Sequence, residues 1–449
     1  MPLDLTVYDG ARTVGGNKIL LDFDGHSVFF DFGINYKRMG EFYEEFLQPR
    51  SGRGIHDFLR MELVPRLGIY REDLTPSDLM LPAPKRVEAV LLSHAHMDHA
   101  GCIGLLRQDI KVCASPITAA LLKAMRDCGR GDIEAEIAYL GTRKRAEGEP
   151  RVVEAENYGK TPYRGRDFAL TGPLPAGLPA FWSHSPKRRG LDAGALAPAS
   201  ETFAFRLEAY PVDHSIYGAT AFAVETSAGW VVYTGDIRVH GKHAQETEAF
   251  VRAAAELKPK VLVMEGTKAG REGNEPTEEE VRRNCLGAVE VEEGLVVADF
   301  SPRNFERLET FLRIALETGR KMAVLPKDAY LLDALGLVDG VDRIKDLLIY
   351  RDLKARRDGW EAEVLEKFDA KLVDPREVGR RAEEYILAFS FWDLKNLLDI
   401  EAKGGRYIYS SSEAYTEDQV IDFQRLHNWL RYMGLEVVGF EVVDGRPRF

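Results

Sequence analysis

An apolar stretch, residues 87–93, runs without a break into His94-Ala95-His96-Met97-Asp98-His99. Three imidazoles and a carboxylate in so short a run are costly to bury unless something satisfies them together. A continuous apolar strand belongs inside a sheet. The chain must therefore fold so that an interior strand ends at a polar centre. In extended backbone, residues i and i+2 point the same way, so His94 and His96 can grip one cation. Asp98 and His99, on the turn beyond, can face a second. Nitrogen and carboxylate donors suit zinc, with manganese or iron as alternatives. Two cations ~3.5–4 Å apart clamp the attacking and leaving oxygens of a displacement. The plainer alternative is three structural histidines and a capping aspartate. It must explain why three of ten histidines crowd into six residues.

The formal net charge is −12, which argues against a general nucleic-acid binder but leaves room for a local basic groove. Candidate clusters are Arg143-Lys144-Arg145, Lys187-Arg188-Arg189 and Arg380-Arg381; each reads first as an ordinary charged surface. No apolar run is long enough to span a bilayer. The segment Met1-Pro2-Leu3-Asp4-Leu5 lacks the basic start of a signal peptide, so a cytoplasmic location is the default expectation. Cys102, Cys113, Cys128 and Cys285 form no Cys-x-x-Cys pair and read as free thiols rather than a disulfide framework.

Short β-rich runs at 17–21 and 27–32 flank Asp24-Gly25, a hairpin signal. Residues 115–127 read as a helix with proline in its first turn. Residues 129–200 are weakly patterned and read as an insertion or lid. Strands follow at 202–210, 219–226, 229–234 and 260–265, with a helix near 244–257. Beyond about 275, strands and helices alternate, which predicts an α/β unit with a largely parallel sheet.

The run His94-x-His96-x-Asp98-His99 resembles the signature of the metallo-β-lactamase superfamily. That resemblance implies an αββα sandwich with metals at one edge, and it implies further landmarks. Asp31, in Phe29-Phe30-Asp31-Phe32-Gly33, would end an early strand. His214, in Pro211-Val212-Asp213-His214-Ser215, would be the later lone histidine. Asp236, in Tyr233-Thr234-Gly235-Asp236, would be the bridging aspartate. By the resemblance, His94, His96 and His214 hold the first metal, Asp98 and His99 the second, and Asp236 bridges them. Asp31 would orient a ligand histidine. Taken alone, Asp236 is a common turn residue and His214 a plausible surface histidine; their order and strand-end placement raise both. His184 is a rival third ligand, lying in the weakly patterned stretch.

The length of chain after Asp236 resembles the β-CASP branch of the superfamily, the group of ribonuclease J and the cleavage and polyadenylation endonuclease. Three segments carry this: Val263-Met264-Glu265-Gly266-Thr267, Ala298-Asp299-Phe300-Ser301-Pro302-Arg303-Asn304, and Tyr409-Ser410-Ser411-Ser412-Glu413. The implied fold is α/β, a metallo-β-lactamase sandwich over 1–270 with an inserted β-CASP domain over 271–425 and a partial return to the first domain over 426–449. The branch carries two further histidines after the insertion. None follows His427 here, which implies a shortened chain or lost functions, a weakly held second metal and impaired activity.

The implied function is zinc-dependent, or manganese-dependent, hydrolysis of single-stranded RNA, endo- or exonucleolytic. Asp98, Asp236 and Glu265 would serve the chemistry, and Ser301, Arg303, Asn304 and Ser411 would lie near phosphates. A homodimer is also implied. Two other functions use the same residues: a small-ester or thioester metallo-hydrolase, and an inactive RNA-binding subunit.

Overall fold

The computed structural model describes residues 3–448, apart from 45, 130–131, 158, 268, 270–275, 403, 411–422 and 444–445. The chain divides into two compact units. The first holds residues 1–239, 243–270 and 337–339; the second holds 240–242, 271–336 and 340–449.

The first unit is built on a hairpin and its continuation. Strands β1 (Asp4–Asp9), β2 (Lys18–Phe23) and β3 (His26–Phe32) pair antiparallel. Asp24 and Gly25, both at positive φ, turn the β2–β3 hairpin as a two-residue connection requires. Strands β4 (Ala89–Leu91), β5 (Lys111–Ala114), β6 (Phe168–Leu170) and β7 (Leu196–Pro198) then add in parallel, giving seven strands in chain order. Residues 129–200 are therefore more than a lid, because two of their strands extend the main sheet. Their short apolar triplets lack the period that longer strands show.

A second sheet faces the first. It comprises β8 (Leu207–Pro211), β9 (Thr220–Thr226) and β10 (Gly229–Tyr233), paired antiparallel, and β11 (Val261–Val263), parallel to β10. Ile19, Leu21, Val28, Phe30 and Leu91 of the first sheet share a core with Phe222, Val224, Val231 and Tyr233 of the second. Burying each such side chain stabilises by ~1.5–3 kcal/mol. Helices close the outer faces. Pro116–Cys128 starts on Ser115, whose hydroxyl accepts from Thr118 N. Ala244–Leu257 lays Phe250, Ala254 and Leu257 against Ala221, Ala223 and Val232. The layers are helix, sheet, sheet, helix.

The second unit is a parallel α/β sheet. Its strands are β12 (Leu295–Asp299), β13 (Lys321–Val324), β14 (Leu347–Tyr350), β15 (Leu372–Val373), β16 (Tyr385–Ala388), β17 (Gly405–Tyr409) and β18 (Leu435–Val438). They lie in the order β15-β14-β13-β16-β12-β17-β18, every pair parallel. The expected return of residues 426–449 to the first unit is corrected here. Leu426, Leu430, Leu435 and Phe440 are buried in the second unit's own core, and β18 satisfies the free edge of β17. An apolar helix face goes to the nearest uncovered sheet, and that sheet lies in its own unit.

No helix among the described residues is long and apolar enough to cross a membrane. Cys102, Cys113 and Cys285 are buried and Cys128 half-buried, all as free thiols. Burial pushes the Cys102 thiol up to about 12, so it is no nucleophile at neutral pH.

Candidate metal centre

Strand β4 ends at Leu91, and His94 and His96 follow before a single helical turn, Met97–Ala100, with His96 in extended backbone (φ −68°, ψ 145°). That turn is clamped by backbone: Gly16 N donates to Asp98 O (2.8 Å) and Ile34 N to Met97 O (3.0 Å). Such close approach needs residues without side chains. A Cβ on Gly33 would lie 1.6 Å from Asp98 O, and one on Gly15, at φ +68°, would lie 2.2 Å from Asp98 Oδ2.

Around this turn the structure brings together His94, His96, Asp98, His99, His214 and Asp236. His94 Nε2 and His214 Nε2 lie 3.1 and 3.2 Å from His96 Nδ1. Nitrogens sharing one tetrahedral zinc at ~2.0–2.1 Å sit ~3.3 Å apart, so this spacing fits a common cation. His99 Nε2 lies 3.3 Å from Asp236 Oδ2 and 3.7 Å from Asp98 Oδ2; the nitrogen is buried and makes no well-aligned hydrogen bond among the described residues. A buried ring nitrogen left so, facing two carboxylates, is costly unless a ligand completes it. Two groups of donors result, His94–His96–His214 and His94–His99–Asp236, with His94 in both. The donor set therefore fits a divalent metal.

Electrostatics agree. Burial alone would lower the pKa of His99, yet Asp236, Asp98 and Asp31 together raise it well above the usual imidazole range. Burial would raise Asp236, but His99, His214 and His96 hold it well below the usual carboxylate range. Excess negative field at a buried imidazole is the signature of a site built for a cation.

The supporting groups are as ordered as the donors. Asp31, fully buried, accepts from Ser93 N (2.7 Å), Ser93 Oγ (2.8 Å), His99 Nδ1 (2.7 Å) and the Tyr233 hydroxyl. It thereby fixes the tautomer that leaves His99 Nε2 for a metal. Asp31 sits at φ +54°, a strain of ~1–3 kcal/mol that its four hydrogen bonds offset. Asn17 Nδ2 donates to the Tyr233 hydroxyl (3.1 Å), and burial, then Asp31, keep that hydroxyl protonated. On the other side, Arg238 Nη2 donates to Asp213 Oδ1 (3.3 Å), and Arg238 N donates to Asp213 O (3.0 Å). This clip ties the loop of His214 to the loop of Asp236. Ser93, Tyr233, Asp213 and Arg238 carry no sequence pattern of their own. Their only signal is adjacency to the donors.

Glu265 stands outside both donor groups. Its Oε1 accepts from Ile237 N (3.3 Å) and its Oε2 from Thr267 Oγ1 (2.6 Å), so it holds the residue after Asp236. His184 is exposed and in neither group. Ser301, Arg303 and Asn304 lie in the second unit, after β12. Asn304 is buried and its Oδ1 accepts from Arg307 N (3.0 Å) to cap the helix Phe305–Glu317, which leaves that oxygen occupied. Arg303 Nε is buried without a hydrogen-bond partner among the described residues. Ser411 lies outside the described residues. The basic clusters are largely spent on the fold: Arg143 binds Glu136 (2.8 Å), Arg145 binds Thr75 O (3.1 Å), Lys187 binds Gly129 O (2.9 Å) and Arg189 stacks over Tyr163 (4.4 Å).

Residues 80–266 match the model of the metallo-beta-lactamase superfamily, the class that the layered sandwich and strand-end donors define. Ribonuclease J of Pyrococcus abyssi is 23% identical over 322 residues, 70% of this chain and 56% of that protein. Ribonuclease J of Methanocaldococcus jannaschii is 22% identical over 365 residues, 78% of this chain and 66% of that protein. Ribonuclease J of Mycoplasma pneumoniae is 29% identical over 365 residues, 79% and 49%. The chain thus spans about half to two thirds of the length of these curated relatives. A crystal structure of a protein of unknown function from Enterococcus faecalis shares the fold over 97% of this chain and 87% of that one, with a TM-score of 0.64 at 20% identity. Residues 80–266 carry the likeness to the metallo-β-lactamase superfamily, and the chain is similar to ribonuclease J proteins over more than two thirds of its length.

Proposed function

We propose that the chain is a metal-dependent ribonuclease that hydrolyses phosphodiester bonds of single-stranded RNA. The convergence of four imidazoles and two carboxylates from three separate segments carries this reading. Similarity to ribonuclease J proteins supports RNA as the substrate class. The second unit, parallel and placed after Asp236, is read as a β-CASP domain.

In this reading His94, His96 and His214 hold one zinc, Asp98 and His99 a second, and Asp236 bridges, with manganese an alternative. Bound there, divalent cations lower the pKa of water toward neutrality and neutralise charge on the phosphate. The chain's own residues do the positioning. His94 and His99 are fully buried and act as anchors. Asp98 and Asp236, with side chains 25% and 26% accessible, form the solvent side of the site, where they accept a hydrogen bond from the attacking water. Glu265, through Ile237 N, keeps the Asp236 loop in place; Arg303 and Ser301 are assigned to backbone phosphates.

The test uses zinc- or manganese-loaded protein and end-labelled single-stranded RNA. Shortened products are expected, and Asp98→Ala should abolish them while metal analysis reports the change in bound zinc. Loaded protein that cuts no RNA or single-stranded DNA, yet turns over thioesters or simple esters, would overturn the reading.

A further inference from the structure

Beside the metal centre, within the first unit, a cavity of about 470 Å³ opens to solvent. Tyr8, Arg12, Lys37, Arg38 and Phe42 line it, with Glu41 also at its edge. Its size suits one small-molecule moiety.

Its walls are unusual for a protein surface. Strand β1 is an edge strand, and its pairing with β2 slips at Tyr8: Val7 faces Ile19 and Asp9 faces Lys18, leaving Tyr8 with no partner. A bulge of this kind re-aims a side chain, and bulges gather beside active sites. The bulged Tyr8 ring leans on buried Phe29, with centroids 6.3 Å apart, and stays 39% exposed. Phe42 is 40% exposed. Two half-exposed aromatic rings lining one cavity, one of them anchored on Phe29, offer a stacking platform.

Charge gives the occupant. The floor is neutralised: Asp9 faces the fully buried Lys18 (3.2 Å) and accepts from Asn35 Nδ2 (2.8 Å). Arg38 is taken by Glu62 (2.8 Å). Arg12 and Lys37 are exposed and make no side-chain ion pair or hydrogen bond among the described residues. Two uncommitted cations over two aromatic rings, against one carboxylate, suit a ligand with a planar ring and an adjacent anion. The cavity also shares a wall with the metal centre. Asn35 packs on Gly16, where a Cβ would lie 2.6 Å from the Asn35 Cβ, and Gly16 N holds Asp98 O.

We propose that this cavity is a nucleotide subsite for the single-stranded RNA substrate, one base stacking on Tyr8 and Phe42 and its phosphates held by Arg12 and Lys37. The inference rests on the ribonuclease reading and adds to it a second point of grip, joined to the metal-site turn through Asn35 and Gly16.

The experiment measures binding of a fluorescent phosphorothioate 12-mer of uridine to metal-loaded full chain, by anisotropy across a salt series. Arg12→Gln with Lys37→Gln should weaken binding about tenfold and flatten the slope of log affinity against log salt by about 1.4, that is ~0.7 per single-strand phosphate contact. Tyr8→Ala with Phe42→Ala should weaken binding at least ~5-fold with the slope unchanged, as loss of base stacking does. Tyr8→Phe should restore the Tyr8 contribution, and unfolding curves should show each variant folded. Wild-type affinity and slope in both double variants, with the unsubstituted chain still cutting RNA, would sink the subsite alone. An aromatic variant that loses only a dimer, keeping its RNA affinity, would show the rim to be a contact between copies and overturn the proposal. Absence of RNA binding and cleavage by the unsubstituted chain would sink both readings.

Discussion

Replacing Asp31 by asparagine changes one atom and should dismantle half of the metal centre. Asp31 is fully buried and accepts four hydrogen bonds, three on Oδ2 and one on Oδ1. If the amide nitrogen takes the place of Oδ2, it presents two N–H groups and no acceptor where Ser93 Oγ, Tyr233 Oη and His99 Nδ1 now donate. The hydroxyls can rotate to accept. His99 can comply only by moving its proton to Nε2, the atom 3.3 Å from Asp236 that a metal needs. If the amide flips, it opposes Ser93 N, which cannot turn; a buried donor left so costs ~1–3 kcal/mol. Either way, metal affinity should fall about 10–100-fold, the usual cost of losing a group that orients a ligand histidine. Losing charge-assisted bonds at ~1.5–3 kcal/mol each should also destabilise the metal-free fold by about 3 kcal/mol. Competition titration of zinc against a chromophoric chelator reads the first effect, and calorimetric unfolding of the metal-free chain the second. Asp31→Asn protein that keeps wild-type zinc affinity would refute the argument that Asp31 sets the His99 tautomer.

Two further outcomes test the framework around the site. Glu136, with its side chain only 3% accessible, faces Arg71 (2.8 Å), Arg126 (3.2 Å) and Arg143 (2.8 Å); Glu136→Gln leaves two buried guanidinium groups and a half-buried one short of counter-charge and should cost about 3–5 kcal/mol in a denaturant melt, whereas a loss under 1 kcal/mol would show the cluster to be solvent-screened. Asp299 is raised from 3.8 to about 7 by burial, against a hydrogen bond from Tyr407. The folded chain therefore keeps a proton that the unfolded chain releases. The stability this gives is full below about pH 4 and is lost as pH rises through about 7, at most ~4 kcal/mol by 1.36 kcal/mol per pKa unit. Asp299→Asn should show a smaller fall in stability between pH 5 and 8 than the unsubstituted chain; an identical fall would place the titrating group elsewhere.

Much of the site is legible in the sequence because its donors sit at strand ends, and strand ends are where apolar runs stop. His94 to His99 follow β4, Asp31 closes β3, and Asp236 follows β10. His214 is less visible, since β8 is only partly buried and weakly apolar. The clip between Asp213 and Arg238 and the Tyr233–Asp31 bond join residues distant along the chain, and no local period encodes such pairs. The parallel sheet of the second unit follows from the alternation of apolar strands with capped helices, such as Thr277 and Glu280 closing a capping box on Glu278–Glu290. The placement of residues 426–449 is not legible in the same way. Helix Phe423–Met433 has one apolar face, and pattern alone does not name the sheet it covers. Asn304 illustrates the same limit at a single residue: a polar side chain after a strand reads equally as a phosphate contact or as the helix cap that the structure finds.

The strand order of the second unit also bears on how the chain must be made. β12 is its first strand, yet both of its neighbours, β16 and β17, come late, at Tyr385–Ala388 and Gly405–Tyr409. On a ribosome, an apolar strand buried along its whole length would emerge with both hydrogen-bonding edges bare. It would stay so until most of the second unit had been synthesised. Nascent chains in that interval are open to wrong pairing and to capture by chaperones.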